Sequence, residues 1–164
     1  MELFVRAATP EDLGVIESLI VDVHTELAPE RGGAIWRQSE ARRAPLAASL
    51  DADLADSLGG PDQTVHLMVG SIDGVVLAVA VSRRRAMHDD RFIVHVDELV
   101  VTPDARGVGL GVALLDEATA WATAIGAVGI ESIALPGQRA TKNFFEAAGM
   151  KARLLTVYRD LTET

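Results

Sequence analysis

The sequence predicts a single mixed α/β (α+β) domain over residues 1–164, with helices flanking a central sheet. Three observations predict it. Apolar residues recur at helical spacing in the first third, the pattern turns strand-like from Gln63, and a strand near 92–101 runs through a glycine-rich corner into an apolar helix. With 164 residues and 49% hydrophobic content, the chain is long enough to bury one core.

Residues 3–7 read as a short strand. Thr9-Pro10-Glu11-Asp12 then opens a helix in the expected chemical order: a capping hydroxyl, a proline in the first turn, and two acids facing the positive dipole end. Leu13, Ile16, Leu19, Ile20, Val23 and Leu27 give that helix a core face up to about Ala28-Pro29. Arg31-Gly32-Gly33 breaks the chain. A second helical stretch, rich in Ala and Leu, covers about 39–58 and stops at Gly59-Gly60-Pro61. Strands at 64–70 and 75–82 flank Asp73-Gly74, a hairpin-turn signal. A third strand spans 92–101, and a helix of about 108–125 follows the glycine-rich corner. A strand at 129–135, a helix near 139–148 and a last strand around 152–159 complete the order β-α-α-β-β-β-α-β-α-β.

Composition narrows the function classes. Fifteen basic against 24 acidic residues leave a net charge of −9, so a general polyanion binder, which needs a basic face to displace counterions from phosphates, is excluded along with nucleic-acid binding. Residues 1–60 hold eleven acids and five arginines and so carry −6 of the −9. With no cysteine there is no disulfide, thiolate nucleophile or cysteine-held metal. His24, His66, His88 and His95 lack metal-ligand spacing, so no metal site is expected. No basic n-region with an apolar h-region opens the chain and no apolar run is long enough to span a bilayer, so a cytoplasmic protein without membrane association is expected.

The informative segment is Glu98-Leu99-Val100-Val101-Thr102-Pro103-Asp104-Ala105-Arg106-Gly107-Val108-Gly109-Leu110-Gly111. A strand that turns through glycines into the first turn of a helix aims free backbone N–H groups and a positive dipole end at one point, a phosphate-binding geometry. The spacing discriminates among phosphate motifs. A P-loop would end Gly-Lys-Ser/Thr, whereas this loop ends Gly111-Val112-Ala113; a dinucleotide fingerprint starting at Gly107 and Gly109 would need glycine where Val112 stands. The competing reading is a glycine-rich corner that serves only tight packing.

Arg106-x-x-Gly109-x-Gly111 resembles the pyrophosphate-binding signature of the GNAT superfamily of N-acetyltransferases. The upstream Glu98-Leu99-Val100-Val101-Thr102-Pro103 is similar to that family's Glu-Leu-x-Val-x-Pro, and Asn143-Phe144-Phe145-Glu146-Ala147-Ala148-Gly149-Met150 to its Phe-Tyr-Glu-x-x-Gly-Phe element. The Asp73-Gly74 hairpin and the opening 5–12 also sit where the family places them, leaving 30–62 unmatched. The resemblance implies a GNAT fold: a mixed, mostly antiparallel sheet whose strands at 92–101 and 129–135 splay apart. It implies acetyl-CoA as co-substrate, with pantetheine along Leu99, Val100 and Val101 and pyrophosphate on the N–H groups of Arg106, Gly107, Val108, Gly109, Leu110 and Gly111. Gln138, Asn143 and Phe145 join them as cofactor contacts. The implied reaction moves the acetyl group directly to a primary amine of a small molecule or peptide, without a covalent enzyme intermediate.

Direct attack needs a neutral amine and a route for its proton. Glu98 is the first candidate for the base: if Leu99 and Val101 face one side of the strand, Glu98 and Val100 face the other, where helix cover would bury the carboxylate and raise its pKa; the competing reading is a strand carboxylate that only pairs with an arginine. Glu131 on the partner strand is the second; His95 and His24 rank below. Phe145 stands where the family usually has the tyrosine that protonates the leaving thiolate, and a phenyl ring cannot donate. Water or the sole tyrosine, Tyr158, would take that role, or none is needed. The alternative reading is therefore a non-catalytic acyl-CoA-binding or regulatory module of the same fold. In the acid-rich 24–60 region, Glu26, Glu30, Asp51, Asp53 and Asp56 would either steer a cationic acceptor, with Trp36 as a flat wall, or form only a solvated acidic helix face. Dimers are common in the family, so a homodimer is an expectation.

Overall fold

The computed structural model describes residues 1–162. Five strands form one sheet in the order β1 (Leu3–Ala7), β2 (Val65–Ile72), β3 (Val75–Ala86), β4 (Phe92–Val101) and β5 (Ile130–Ser132). The first four pair antiparallel and β5 pairs parallel to β4, giving the mixed, mostly antiparallel sheet expected. Asp73 and Gly74, both at positive φ, make the β2–β3 turn, as a tight hairpin requires.

Helices cover both faces of the sheet. On one, α1 (Leu13–Leu27) and α3 (Leu46–Ser57) bury Ile16, Ile20 and Leu50 against Leu67, Val69, Val79, Val81 and Val100. On the other, α4 (Leu110–Ala124) buries Leu110 and Leu114 against Met68, Ala78 and Ala80. Each fully buried Leu or Ile contributes about 1.5–3 kcal/mol. Gly70 lets α4 lie this close, because a Cβ there would stand 2.9 Å from Leu110 Cδ2. α5 (Arg139–Ala147) brings Phe144 and Phe145 against Leu115 and Val96.

A short 3₁₀ turn, Pro10–Asp12, leads into α1. Asp12 accepts from the Thr9 N–H at 2.8 Å and takes two bonds from the Arg6 guanidinium at 2.6 and 2.9 Å, tying β1 to the helix start.

Four sequence expectations are corrected. The helix expected over 39–58 is α3 alone, because Pro45 lacks a donor and starts the helix at Leu46. Ahead of it, where a break was expected, α2 (Gly33–Ser39) forms: Gly32 turns the chain at φ 79°, and a Cβ on Gly33 would meet the Leu27 carbonyl oxygen at 1.9 Å, so only glycine starts a helix there. The strand expected at 129–135 shortens to three residues, since only Ile130, Glu131 and Ser132 find register partners on β4. The strand expected at 152–159 is not formed; that segment is exposed and has no regular secondary structure.

Candidate functional site

The β4–β5 ladder ends at the Val96–Ser132 pair, while β4 runs on to Val101. Beyond Val96 the β5 side of β4 is therefore open. This is the splay, and a cavity of about 1100 Å³ fills it. One wall is Glu98, Leu99, Val100 and Val101; α5 contributes Ala140, Thr141, Phe144 and Phe145, and α1 and α2 contribute Glu26, His24 and Trp36.

At one end lies the glycine loop. Gly107 and Gly109 hold φ of 79° and 101°, a left-handed backbone that glycine adopts without strain. Gly109 is the N-cap of α4, and the first backbone bond from that end runs from the Ala113 N–H to the Gly109 carbonyl at 3.0 Å. The N–H groups of Leu110, Gly111 and Val112 thus precede the ladder and stand free for an anion. A Cβ on Gly107 would meet nothing within 4 Å, so space for a ligand lies against that backbone. Arg106 donates from Nε to the Val101 carbonyl at 3.0 Å, and its guanidinium grips Glu26 of α1 at 2.7 and 2.8 Å.

Towards the other end the polar side chains form one connected chain of ion pairs and polar contacts. Arg42 donates to both oxygens of Glu98 at 2.6 and 2.8 Å and reaches Asp53 at 2.8 Å. Arg83 holds Asp53 at 2.8 Å and Asp97 at 2.9 Å. His95 Nδ1 lies 3.2 Å from Glu131 Oε1, its Nε2 3.9 Å from Asp97, and Arg153 holds the other oxygen of Glu131 at 2.8 Å. Burial holds the Glu98 carboxyl above the ordinary glutamate range, against the pull of Arg42. Burial also pushes Glu131 upward, but bonds from Arg153 and His95 outweigh it and bring that carboxyl below its ordinary value.

A register shift brings these groups together. Val81 pairs with Glu98 and Ser82 with Val96, leaving Asp97 as an extra residue in β4. In a regular strand residues 95 and 98 would point to opposite faces; across the bulge both His95 and Glu98 line the cavity. Glu131 does not line it, and stands behind His95.

Residues 26–150, more than half of the chain, match the sequence profile of the family described as Acetyltransferase (GNAT) family. The chain belongs to the GNAT acetyltransferase family. Among solved structures the GNAT fold here is similar to a mutant of the BH1408 protein from Bacillus halodurans, at TM-score 0.78 and 21% identity over 96% of this chain and 99% of that one. A GCN5-related N-acetyltransferase from Ralstonia eutropha superposes at TM-score 0.74 with 17% identity, over 97% and 99% of the two chains. AAC(6')-Iy, solved with a bisubstrate analogue of CoA, gives 0.70 with 19% identity over 98% and 99%. No curated protein matches the sequence. The family's chemistry is acetyl transfer from an acyl-CoA, and the free N–H groups of the GNAT loop suit its pyrophosphate.

Within this GNAT site the sequence-derived residues divide. Leu99, Val100, Val101, Arg106, Gly107, Gly109, Gly111, Gln138 and Phe145 all border the cavity. Leu110 is buried in the core and offers only its N–H, while Val108 and Asn143 do not border the cavity; Asn143 is exposed on α5. Strand parity holds where it was argued: Val100 packs with α1 and α3, Leu99 and Val101 with α4. The acids of the first 60 residues do not form an acidic wall. Of the five singled out only Glu26 borders the cavity; Asp53 is buried between Arg42 and Arg83, and Asp56 accepts from the Thr64 and Val65 N–H groups. Trp36 does border it, its ring edge-on to His24 at 5.5 Å between centroids. Tyr158 does not, and is 62% exposed. Sequence reasoning did not single out Arg42, carried by the unexpected break before Pro45, and the bulge that brings His95 to the cavity has no signature in the pattern.

Proposed function

We propose that the whole chain is one N-acetyltransferase domain that moves the acetyl group of acetyl-CoA directly to a primary amine of a small molecule or peptide. The observation that carries the reading is the joining, in one cavity, of the glycine loop's free N–H groups to the open edge of β4. Acetyl-CoA supplies an activated thioester. The chain's residues supply the rest: Gly109, Leu110 and Gly111 cradle pyrophosphate, Arg106 adds a cation beside it, and the backbone of Leu99 to Val101 offers strand-like pairing to pantetheine.

For the proton we propose His95 as acceptor. A carboxylate only accepts hydrogen bonds, so Glu131 selects the tautomer with hydrogen on Nδ1 and leaves the Nε2 lone pair for the attacking amine's proton. Glu131 is thereby a positioning residue rather than the base itself. Glu98, with both oxygens taken by Arg42, orients that arginine and shapes the acceptor wall. The cavity faces carry Glu40, Asp97, Arg83 and Arg85 beside their paired neighbours, a mixed set that fits an amine carrying its own polar or anionic groups better than a polycation. We place the protein in the cytoplasm, with a second copy as partner; no helix among the described residues is long and apolar enough to cross a membrane.

The second reading, a non-catalytic acyl-CoA-binding module, rests on Phe145 bordering the cavity with no tyrosine beside it. Release of free CoA thiol, followed with acetyl-CoA and a panel of amines between about pH 6 and 9, separates the two. Acetylation of any amine supports the enzyme; CoA binding without transfer to any of them supports the module.

A further inference from the structure

Among the described residues four arginines border the cavity, Arg42, Arg83, Arg85 and Arg106. Three of them are occupied within the protein. Arg42 holds Glu98 and Asp53, Arg83 holds Asp53 and Asp97, and Arg106 grips Glu26. Arg85 differs. Its contact with Oε1 of Glu131 is 3.5 Å long, the outer limit of a hydrogen bond, and its side chain is 53% exposed. Glu131 does not depend on it, because Arg153 and His95 already meet that carboxylate. A guanidinium carries five donors in a planar fork, so Arg85 keeps donors for a ligand.

Position says which ligand. β3 pairs Arg83 with His95 and Arg85 with Ile93, so Arg85 stands diagonally across from His95 on one face of the sheet, about 7–8 Å away at the backbone. Both side chains also meet a single atom, Glu131 Oε1. The glycine loop is out of reach, since from Ile93 to Val101 the strand covers roughly 25 Å and the loop begins beyond it. An anion on Arg85 therefore belongs to the acceptor and not to CoA. With Asp97 and Glu131 both close to His95, one negative charge suits the place better than a phosphate dianion, and a carboxylate matches the guanidinium fork with two parallel bonds.

We propose that Arg85 binds a carboxylate of the acceptor, so that the acceptor is a free amino acid whose amine and carboxylate lie a few bonds apart. A separation of about 7–8 Å, with a hydrogen bond of about 3 Å at either end, leaves room for a short molecule. A peptide would present an amide there, and a polyamine a second cation that Arg85 repels. This deepens the acetyl-transfer reading and rests on it for the fate of the amine. Nitrogen bonds to the acetyl carbon, the carbon–sulfur bond of the thioester breaks, the amine's proton passes to His95 Nε2, and the sulfur leaves as CoA thiolate.

Release of CoA thiol is measured with the common α-amino acids and β-alanine, each reactive one beside its amide, in wild type, Arg85→Gln and Arg85→Lys. The amide's amine is the less basic, so the telling quantity is the acid-to-amide ratio of kcat/KM compared between proteins, in which that difference cancels. Arg85→Gln is expected to lower the ratio by about tenfold or more through KM for the acid, and Arg85→Lys to restore part of it. An equal ratio in wild type and Arg85→Gln overturns the proposal, and so does a loss shared by acid and amide, the mark of a merely structural arginine. A wild type that acetylates spermidine or a peptide amine but no amino acid overturns it as well. If no amine of any kind is acetylated, the transfer reading fails and calorimetry on the CoA-loaded protein decides the anchor by itself. The N-acetyl derivative of at least one among alanine, leucine and phenylalanine is expected to bind about tenfold more tightly than its amide, with the difference gone in Arg85→Gln; equal affinities for all three pairs overturn the anchor.

Discussion

His95 Nδ1 lies 3.2 Å from Glu131 Oε1, and both the pairing and the approach are set by β4–β5 register, where the two residues are direct partners. Cross-strand partners in a parallel ladder put their side chains on one face, so the dyad is a product of sheet geometry rather than of a loop. His95→Gln is expected to lower kcat by about 10²–10⁴-fold, with CoA affinity unchanged. Glu131→Gln lowers it less, because Nε2 stays in place. An unaltered kcat in His95→Gln would move the base role to Glu98 or to water.

Gly109→Glu is expected to abolish CoA binding measured by calorimetry. It places a side chain at φ 101° and a negative charge where the α4 N-terminus awaits an anion. Gly109→Ala separates the two causes: it keeps the strain of a left-handed residue, about 1–2 kcal/mol, but brings no charge, so it binds CoA more weakly than wild type and far better than the glutamate.

Arg42 compensates two buried carboxylates at once. Its side chain is 6% exposed, Glu98 and Asp53 each 9%. Arg42→Met strands Glu98 and is expected to cost about 3–5 kcal/mol in urea unfolding. Adding Glu98→Leu recovers part of that loss, since Asp53 keeps Arg83; no recovery would show that the arginine's packing, not its charge, was lost.

Stability should fall on mild acidification. Burial holds His66 and His24 below the ordinary value of 6.5, and nearby Arg37 and Arg42 add to the effect at His24. Both are neutral when folded, so their contribution is complete above about pH 6.5 and is lost as pH falls through that value and the unfolded chain takes up protons first. His66 stacks on Trp121 at 5.0 Å with an interplanar angle of 7°, and its Nε2 has no hydrogen-bond partner. His66→Phe keeps the stack and removes the titration. Its urea midpoint should therefore depend less on pH between about 7.5 and 5 than the wild-type midpoint; an equal slope would contradict the assignment.

A second acid loss lies lower. The Arg6 guanidinium holds the Asp12 carboxyl below its ordinary 3.8, so that pair stabilises the fold above this value and releases it as pH falls through the lower folded value. Asp12→Asn is expected to be less stable at neutral pH and to show no further loss from this site at low pH in the same titration.

Much of this was legible in the residues because the physical signal was local. β4 begins and ends where alternation placed it, the glycine loop carries its left-handed turns, and Thr9-Pro10-Glu11-Asp12 opens α1 through a 3₁₀ turn. What the pattern could not show is what depends on a partner in space. The Asp97 bulge arises from the β3 register, α2 from the fit of Gly33 under the end of α1, and the pairing of Arg42 with Glu98 from a contact 56 residues apart. The apolar alternation at 152–159 is a strand signal without a strand beside it.

The clasp between Arg106 and Glu26 gains meaning from its exposure. Both side chains are more than two-fifths open to solvent, so the pair is worth at most about 1 kcal/mol. It ties the glycine loop to helix α1. A hasp this light can open at almost no cost to the fold, so its two halves are joined without being locked.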